Sequence, residues 1–171
     1  MAPSSKHTLE TLFPGKPRQD YQWVNKGMCK ELLVVQAAAT WFLVGLIWMV
    51  QVVHYPLFAR VGPAEFPAYH AAHSSLITWV VGPLMLLELC TTLLLLTQWP
   101  TSLPGWVAWL GLALLGVIWL TTLLVSVPLH ARLAGGFEAQ AHALLVGTNW
   151  IRTLAWTARG LLSLWALFRL M

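Results

Sequence analysis

The sequence has very little charge for its length. Its 171 residues include ten basic and six acidic side chains, 9% of the chain, whereas soluble domains carry about 25%. Eight of these charges fall in the N-terminal stretch from Lys6 to Glu31, and Glu88 is the one charged residue between positions 66 and 131. A soluble globule cannot cover its surface with so few charges. We therefore predict an integral membrane protein whose solvent is the lipid bilayer.

Cysteine and targeting signals are also scarce. Cys29 and Cys90 are too few for a disulfide framework or a four-cysteine zinc site, and there is no Cys-x-x-Cys-His motif for covalent haem attachment. The net charge of +4 comes from the N-terminal segment and a few scattered arginines, so we expect no nucleic-acid partner. The stretch from Met1 to Lys30 contains three prolines and no early apolar run. Because this is not a signal-peptide pattern, we expect the first apolar segment to be an uncleaved anchor.

What the sequence does contain is four apolar segments, each longer than the roughly 20 residues that cross the hydrocarbon core as a helix. Short connections between helices make consecutive ones antiparallel neighbours. The sequence therefore predicts an all-α integral membrane protein, a four-transmembrane-helix up-down bundle over residues 31–171, after an irregular basic tail over residues 1–30. The basic residues of the tail predict that both termini are cytoplasmic, with a bacterial inner membrane as the expected location. The predicted spans cover about residues 32–55, 74–96, 106–127 and 144–168.

Two similar hexapeptides indicate an internal repeat. The segment that starts at Pro56 reads PLFARV, and the segment that starts at Pro128 reads PLHARL. The offset between these two segments also relates His70 to His142, each of which is followed by alanine. This pattern predicts two related helical hairpins whose pseudo-two-fold axis runs along the membrane normal.

Five of the six histidines are predicted to lie at one membrane face, which is extracytoplasmic in the predicted orientation. Neutral imidazole is the commonest metal ligand and also binds haem iron. As symmetry mates, His70 and His142 are the leading candidates to ligate a haem b. A histidine-bound iron or copper ion is the alternative, and interfacial polar residues, a quinone or lipid head-group site and partner contacts also stay open. The candidate metal ligands are His54, His70, His73, His130, His142 and Glu138.

One acidic and one basic residue stand at similar depths in the predicted spans. Glu88 follows His73 along the second span by nearly as many positions as Arg159 follows His142 along the fourth, and these two helices run in the same direction. Intramembrane charges generally pair. We therefore predict a structural ion pair between Glu88 and Arg159.

The last span holds the densest polar stretch. Here Asn149, Trp150 and Arg152 are predicted to bind a cofactor. The guanidinium of Arg152 suits a haem propionate, an anionic substrate or a lipid phosphate, although it can instead pair with Glu138. The element Asn149-x-x-Arg152 resembles the last helix of anthrone-oxygenase-like small membrane proteins, a likeness of few residues that implies no function by itself.

These patterns lead to two hypotheses of function. The first is a membrane-bound oxidoreductase whose histidine site serves electron transfer or the oxidation of a lipophilic substrate such as a quinone, a polyketide or a lipid. The second is a non-catalytic accessory subunit of a larger membrane complex or a homo-oligomer, since eleven tryptophans suit lipid and subunit packing. Transport is less favoured because the sequence lacks paired broken helices.

Overall fold

The computed structural model describes the backbone from Arg18 to Met171 and the side chains from Gly27 onward. All of its regular elements over these residues are helices, joined by short loops. Two of the helical stretches each contain one short π-helical segment near their C-terminal end. In chain order the elements are α1 (Arg18–Met49), a first π segment (Val50–His54), α2 (Tyr55–Leu57), a 3₁₀ turn (Phe58–Arg60), α3 (Phe66–Thr97), α4 (Gly105–Thr121), a second π segment (Thr122–Ser126), α5 (Val127–Leu133) and α6 (Ala139–Leu170).

Three helical stretches are long and apolar enough to cross a membrane: Gly27–Arg60, Phe66–Thr97 and Gly105–Leu133. Their outer surfaces carry large apolar side chains, including Trp79, which is 78% exposed, and Leu124, which is 70% exposed. A continuous apolar surface of this kind suits lipid rather than water. The fourth predicted span lies in α6, which has 32 residues but is not among these three stretches.

Helix α6 occupies the middle of the structure. It contacts both α1 and α4 along much of its length, while α1 also packs against α3. Its buried residues include the polar or charged Asn149, Arg152, Arg159 and Ser163 as well as Trp156. Because these polar groups are buried against neighbouring helices, the sequence of α6 is less apolar than those of the three stretches named above.

The two π segments stand at equivalent positions of the sequence repeat. The Tyr55 N–H donates to the Val50 carbonyl in the first copy, and the Val127 N–H donates to the Thr122 carbonyl in the second. A proline follows each of these bonds at the next position, Pro56 or Pro128. A proline has no N–H and its ring clashes with the carbonyl four residues earlier, and a wider turn before it relieves both problems. Both copies of the repeated hexapeptide are therefore preceded by a π segment of the same length.

The helices extend beyond the predicted spans. We expected an irregular tail to residue 30, but α1 begins at Arg18, directly after the last proline of the N-terminal region. The rest of the predicted tail, residues 1–17, lies outside the described residues. The π segments also carry the first and third helices through Pro56 and Pro128, which stand in the first turn of the next helical piece, where a missing N–H costs nothing.

Candidate functional site

Four of the five predicted histidines form one cluster at the end of the structure that contains the π segments. The first π segment provides His54, α3 provides His70 and His73, and α5 provides His130. The Nε2 atom of His54 lies 2.7 Å from Nδ1 of His73, and the Nε2 atom of His70 lies 3.0 Å from Nδ1 of His130. The two pairs meet where the rings of His73 and His130 stack at 5.8 Å between centroids. We call these four residues the histidine cluster.

The hydrogen bonds of the histidine cluster can run in either direction, depending on the tautomer of each ring. In one arrangement His70 Nε2 donates to His130 Nδ1, His130 Nε2 donates to the Tyr55 hydroxyl at 3.0 Å, and His73 Nδ1 donates to His54 Nε2. His70 and His73 then each keep one nitrogen with a free lone pair. These nitrogens, His70 Nδ1 and His73 Nε2, are buried and have no hydrogen-bond partner. They stand one turn apart on α3, at i and i+3, and so on the same side of the helix.

Aromatic rings enclose the histidine cluster. Phe58, which is fully buried, packs edge-on against His70 and His73, with ring centroids 5.9 and 5.1 Å away. Phe66, also fully buried, stacks on His70 at 5.7 Å. These rings fix the orientation of the imidazoles and keep water from their faces. No group of three or more His, Cys, Asp or Glu side chains in the part of the chain that the structure describes is arranged to hold a metal ion.

The structure does not bring His142 into the cluster. Its Nε2 atom lies 2.8 Å from the backbone carbonyl oxygen of Tyr55, and its ring packs against Phe137 and Phe58. Its symmetry mate, His70, has a different partner in His130. The predicted pairing of His70 with His142 across the repeat axis is therefore not present as a contact, because Phe58 and the Tyr55 carbonyl occupy the places next to them.

Glu138 also lies apart from the histidines. Its carboxylate forms an ion pair with Arg132 of α5, and both side chains are almost half exposed. This pair closes the loop between α5 and α6. It also shows that Arg152 does not pair with Glu138, which was one of the alternatives that the sequence left open.

The other predicted residues of α6 have separate environments. Asn149 is buried and its Nδ2 donates to Gln51 Oε1 at 2.8 Å, while Gln51 Nε2 donates to the Val146 carbonyl at 3.1 Å. The first π segment is thereby clamped to α6. Trp150 lies on the outer surface, 41% exposed, with its ring edge-on to Trp48. Asn149 is thus part of a helix contact, and Trp150 faces away from the histidine cluster.

Arg152 is a buried cation. Its side chain is 8% exposed, and its Nη1 donates to Ser126 Oγ at 2.9 Å in the second π segment. Its guanidinium lies over the ring of Trp156, 5.7 Å from the centroid. Its Nε is buried without a hydrogen-bond partner, and among the described residues no carboxylate forms an ion pair with it.

The structure brings Glu88 and Arg159 together in the middle of the helices, as the sequence predicts. Arg159 Nε lies 3.2 Å from Glu88 Oε1, and both side chains are almost completely buried. The carboxylate also accepts hydrogen bonds from Thr40 in α1 and from Trp156 Nε1 in α6, the latter at 3.0 Å. The guanidinium in addition donates to Thr92 in α3 and to the Gly111 carbonyl in α4. One ion pair thus connects α1, α3, α4 and α6.

Sequence reasoning missed two residues that shape the site, Tyr55 and Phe58. Tyr55 bonds His130 through its hydroxyl and His142 through its carbonyl, and Phe58 packs on four histidines. Both lie within or beside the repeated hexapeptide. Their position close to Pro56 was a usable signal. The offset that relates Pro56 to Pro128 also relates His70 to His142.

Comparison of the chain with protein-family models, with curated proteins and with solved structures finds no match to any of them. The site must therefore be interpreted from its own chemistry.

Proposed function

We propose that this chain is a membrane protein with four transmembrane helices that binds an iron or copper ion at its histidine cluster and serves electron transfer or the oxidation of a lipophilic compound. The observation that carries the proposal is the pair of buried, unpartnered nitrogens, His70 Nδ1 and His73 Nε2. A buried polar atom without a partner costs about 1–3 kcal/mol. The two residues that carry these atoms stand one turn apart on α3, a spacing from which one helix can supply two metal ligands.

The hydrogen bonds around these two nitrogens fit metal ligands. A histidine that binds a metal usually donates its other ring N–H to a neighbouring acceptor, which fixes the tautomer and the ring orientation. In the arrangement that leaves free lone pairs on His70 and His73, His130 Nδ1 is that acceptor for His70, and His54 Nε2 is that acceptor for His73. We therefore assign His70 and His73 as ligands, and His54 and His130 as positioning residues.

Imidazole ligands suit iron and copper, and either ion would supply a one-electron redox couple at the site. The residues of the chain supply the rest. Tyr55 and His130 form a hydrogen-bonded path through which a proton can leave His70. Phe58 and Phe66 exclude water from the imidazole faces. We favour a metal ion over haem because His142 Nε2 is engaged by the Tyr55 carbonyl, which leaves His70 without a facing histidine ligand from the repeat.

The fourth transmembrane helix of the proposal is α6. Its two buried arginines face neighbouring helices rather than lipid, and Arg159 is paired with Glu88. Arginines inside a membrane protein generally face the interior and pair in this way. The 32 residues of α6 exceed the length that a bilayer requires.

Metal analysis of the purified protein tests the proposal. The protein is prepared in a neutral detergent with an affinity tag that contains no histidine, and its metal content and absorption spectrum are measured. We expect about one equivalent of iron or copper per chain and no Soret band. The His70→Gln/His73→Gln variant should lose the metal. The matched control is His142→Gln, which should retain it because His142 bonds a backbone carbonyl outside the cluster.

Gel filtration and circular dichroism establish that each variant is folded. A folded wild-type protein without metal would contradict the proposal and favour the accessory-subunit hypothesis, in which buried water satisfies the two nitrogens. One equivalent of zinc would support the site but contradict a redox function, because zinc has no redox chemistry. A Soret band that disappears in the His142→Gln variant would contradict the metal ion and favour haem.

A further inference from the structure

A small chamber beside Arg152 lies deeper in the structure than the histidine cluster. Its volume is about 30 Å³, which is room for about two water-sized groups. Arg152, Tyr55 and Trp156 supply its polar lining, and the remaining lining residues are aliphatic side chains of α1 and α3. The Nε1 of Trp156 already donates to Glu88. Among the residues that line the chamber, Arg152 is the one that carries a positive charge.

Among the described residues, Arg152 lacks a counter-ion, and one of its guanidinium nitrogens lacks a hydrogen-bond acceptor. Its charge is more than nine-tenths buried, its Nε has no acceptor, and no described carboxylate neutralises it. The other buried arginine, Arg159, has a partner for every one of its nitrogens. A buried charge without a counter-ion is strongly unfavourable. The chamber therefore calls for a negatively charged group next to Arg152.

An apolar groove leads from the outer surface of α1 and α3 toward this chamber. The groove has a volume of about 320 Å³, within the range of small-molecule sites. Its lining is apolar apart from Tyr69 and the two histidines His54 and His73. Val50 and Ile77 line both the groove and the chamber, so these two side chains separate them. The groove is flanked by exposed apolar residues such as Leu76 and Met49 and therefore faces the lipid side.

We propose that the groove and the chamber together bind a lipophilic molecule that carries an oxyanion, with its apolar body in the groove and its charged oxygens against Arg152. Guanidinium binds the two oxygens of a carboxylate in parallel. The chamber has room for such a head group and not for a larger one. The site rests on the proposed function and deepens it, since a molecule bound there passes His54 and His73 on its way to Arg152.

Binding of defined amphiphiles to the purified protein tests this site. The probe is dodecanoate, with methyl dodecanoate as its neutral match, and complexes are counted by native mass spectrometry after removal of metal with a chelator. We expect the wild type to prefer dodecanoate over its methyl ester by about tenfold or more. Arg152→Gln should abolish that preference and Arg152→Lys should retain part of it. Arg132→Gln, which removes an exposed arginine, is the matched control and should leave it unchanged.

The Ile77→Trp variant tests the route. A large ring at this position should weaken both dodecanoate and its ester, because Ile77 is one of the two side chains that separate the groove from the chamber and that the bound molecule must displace. Equal affinity for dodecanoate and its ester in the wild type, or a preference that survives Arg152→Gln in the folded protein, would overturn the proposal. Dodecanoate binding that depends on Arg152 but not on Ile77 would overturn the groove as the route.

These experiments distinguish a failure of the anion-binding proposal from a failure of the metal proposal. Probe binding is measured without metal and also in the His70→Gln/His73→Gln variant, so a failure of the metal site leaves it unaffected. Conversely, a protein that holds iron or copper but shows no Arg152-dependent binding would refute this inference alone.

Discussion

The ion pair between Glu88 and Arg159 allows a quantitative test of the helix packing. Glu88→Gln keeps the size of the side chain but removes the charge that compensates Arg159. The amide also replaces one of two carboxylate oxygens, which together accept from Thr40, Trp156 and Arg159. Interhelical hydrogen bonds in membrane proteins contribute on average about 0.6 kcal/mol each. The larger effect comes from the buried, uncompensated guanidinium, and the loss of one partner of a buried pair costs about 3–5 kcal/mol.

We therefore expect each single variant, Glu88→Gln and Arg159→Gln, to lower the free energy of unfolding by about 3–5 kcal/mol. The double variant should lose much less than the sum, since two neutral amides leave no unpaired charge. The expected coupling energy is at least about 2 kcal/mol. Unfolding is measured by titration with a denaturing detergent in mixed micelles and followed by circular dichroism. Single variants within about 0.5 kcal/mol of the wild type, or additive losses, would refute the account of this network.

Two further predictions concern packing and surface charge. Gly160→Ala should destabilise the protein by about 1–2 kcal/mol, because the new Cβ would lie 3.3 Å from side-chain atoms of Trp41 and Val44. The control is Gly147→Ala on the same helix, where nothing lies within 4 Å of the new Cβ. This substitution should stabilise the protein by about 0.5–1 kcal/mol. Equal effects at the two sites would contradict the close approach of α6 to α1. Glu138→Gln should change the free energy of unfolding by at most about 1 kcal/mol, since its ion pair with Arg132 is exposed. A loss as large as that of Glu88→Gln would contradict the view that burial makes the Glu88–Arg159 pair the more important of the two.

The sequence predicted the helices well because apolar length is a strong signal. All four predicted spans fall inside helices, and the meeting of Glu88 with Arg159 followed from their matched depths alone. The π segments could not be predicted, because the number of residues in a helical turn depends on backbone hydrogen bonds that composition does not encode. These segments set the direction of His54 and Ser126, the two residues that end them.

The histidine cluster was predicted only in part, for a related reason. Spacing placed five histidines at one end of the helices, but it could not say which ring faces which. The symmetry argument paired His70 with His142, whereas the structure pairs His70 with His130. The two halves of the repeat differ at one position that matters here, where Phe58 corresponds to His130. That single difference breaks the symmetry, because the phenyl ring packs on the imidazoles and cannot bond them.

The partner of Arg152 is a feature that the sequence could not decide. The sequence offered Arg152 four partners, namely a haem propionate, an anionic substrate, a lipid phosphate and Glu138, and its neighbours along the chain could not decide among them. Only the three-dimensional arrangement shows that Glu138 pairs with Arg132 and Glu88 with Arg159. For Arg152 we propose an external anion, and the chamber beside it therefore carries the more specific proposal about the substrate.

The most direct test of the central claim, a metal ion held by His70 and His73, is X-ray absorption spectroscopy at the metal edge of the purified protein. We predict an iron or copper edge with the multiple scattering of imidazole rings, and loss of both the edge and the imidazole signal in the His70→Gln/His73→Gln variant. A metal that shows no imidazole ligation, or an identical spectrum in the double variant, would contradict the claim.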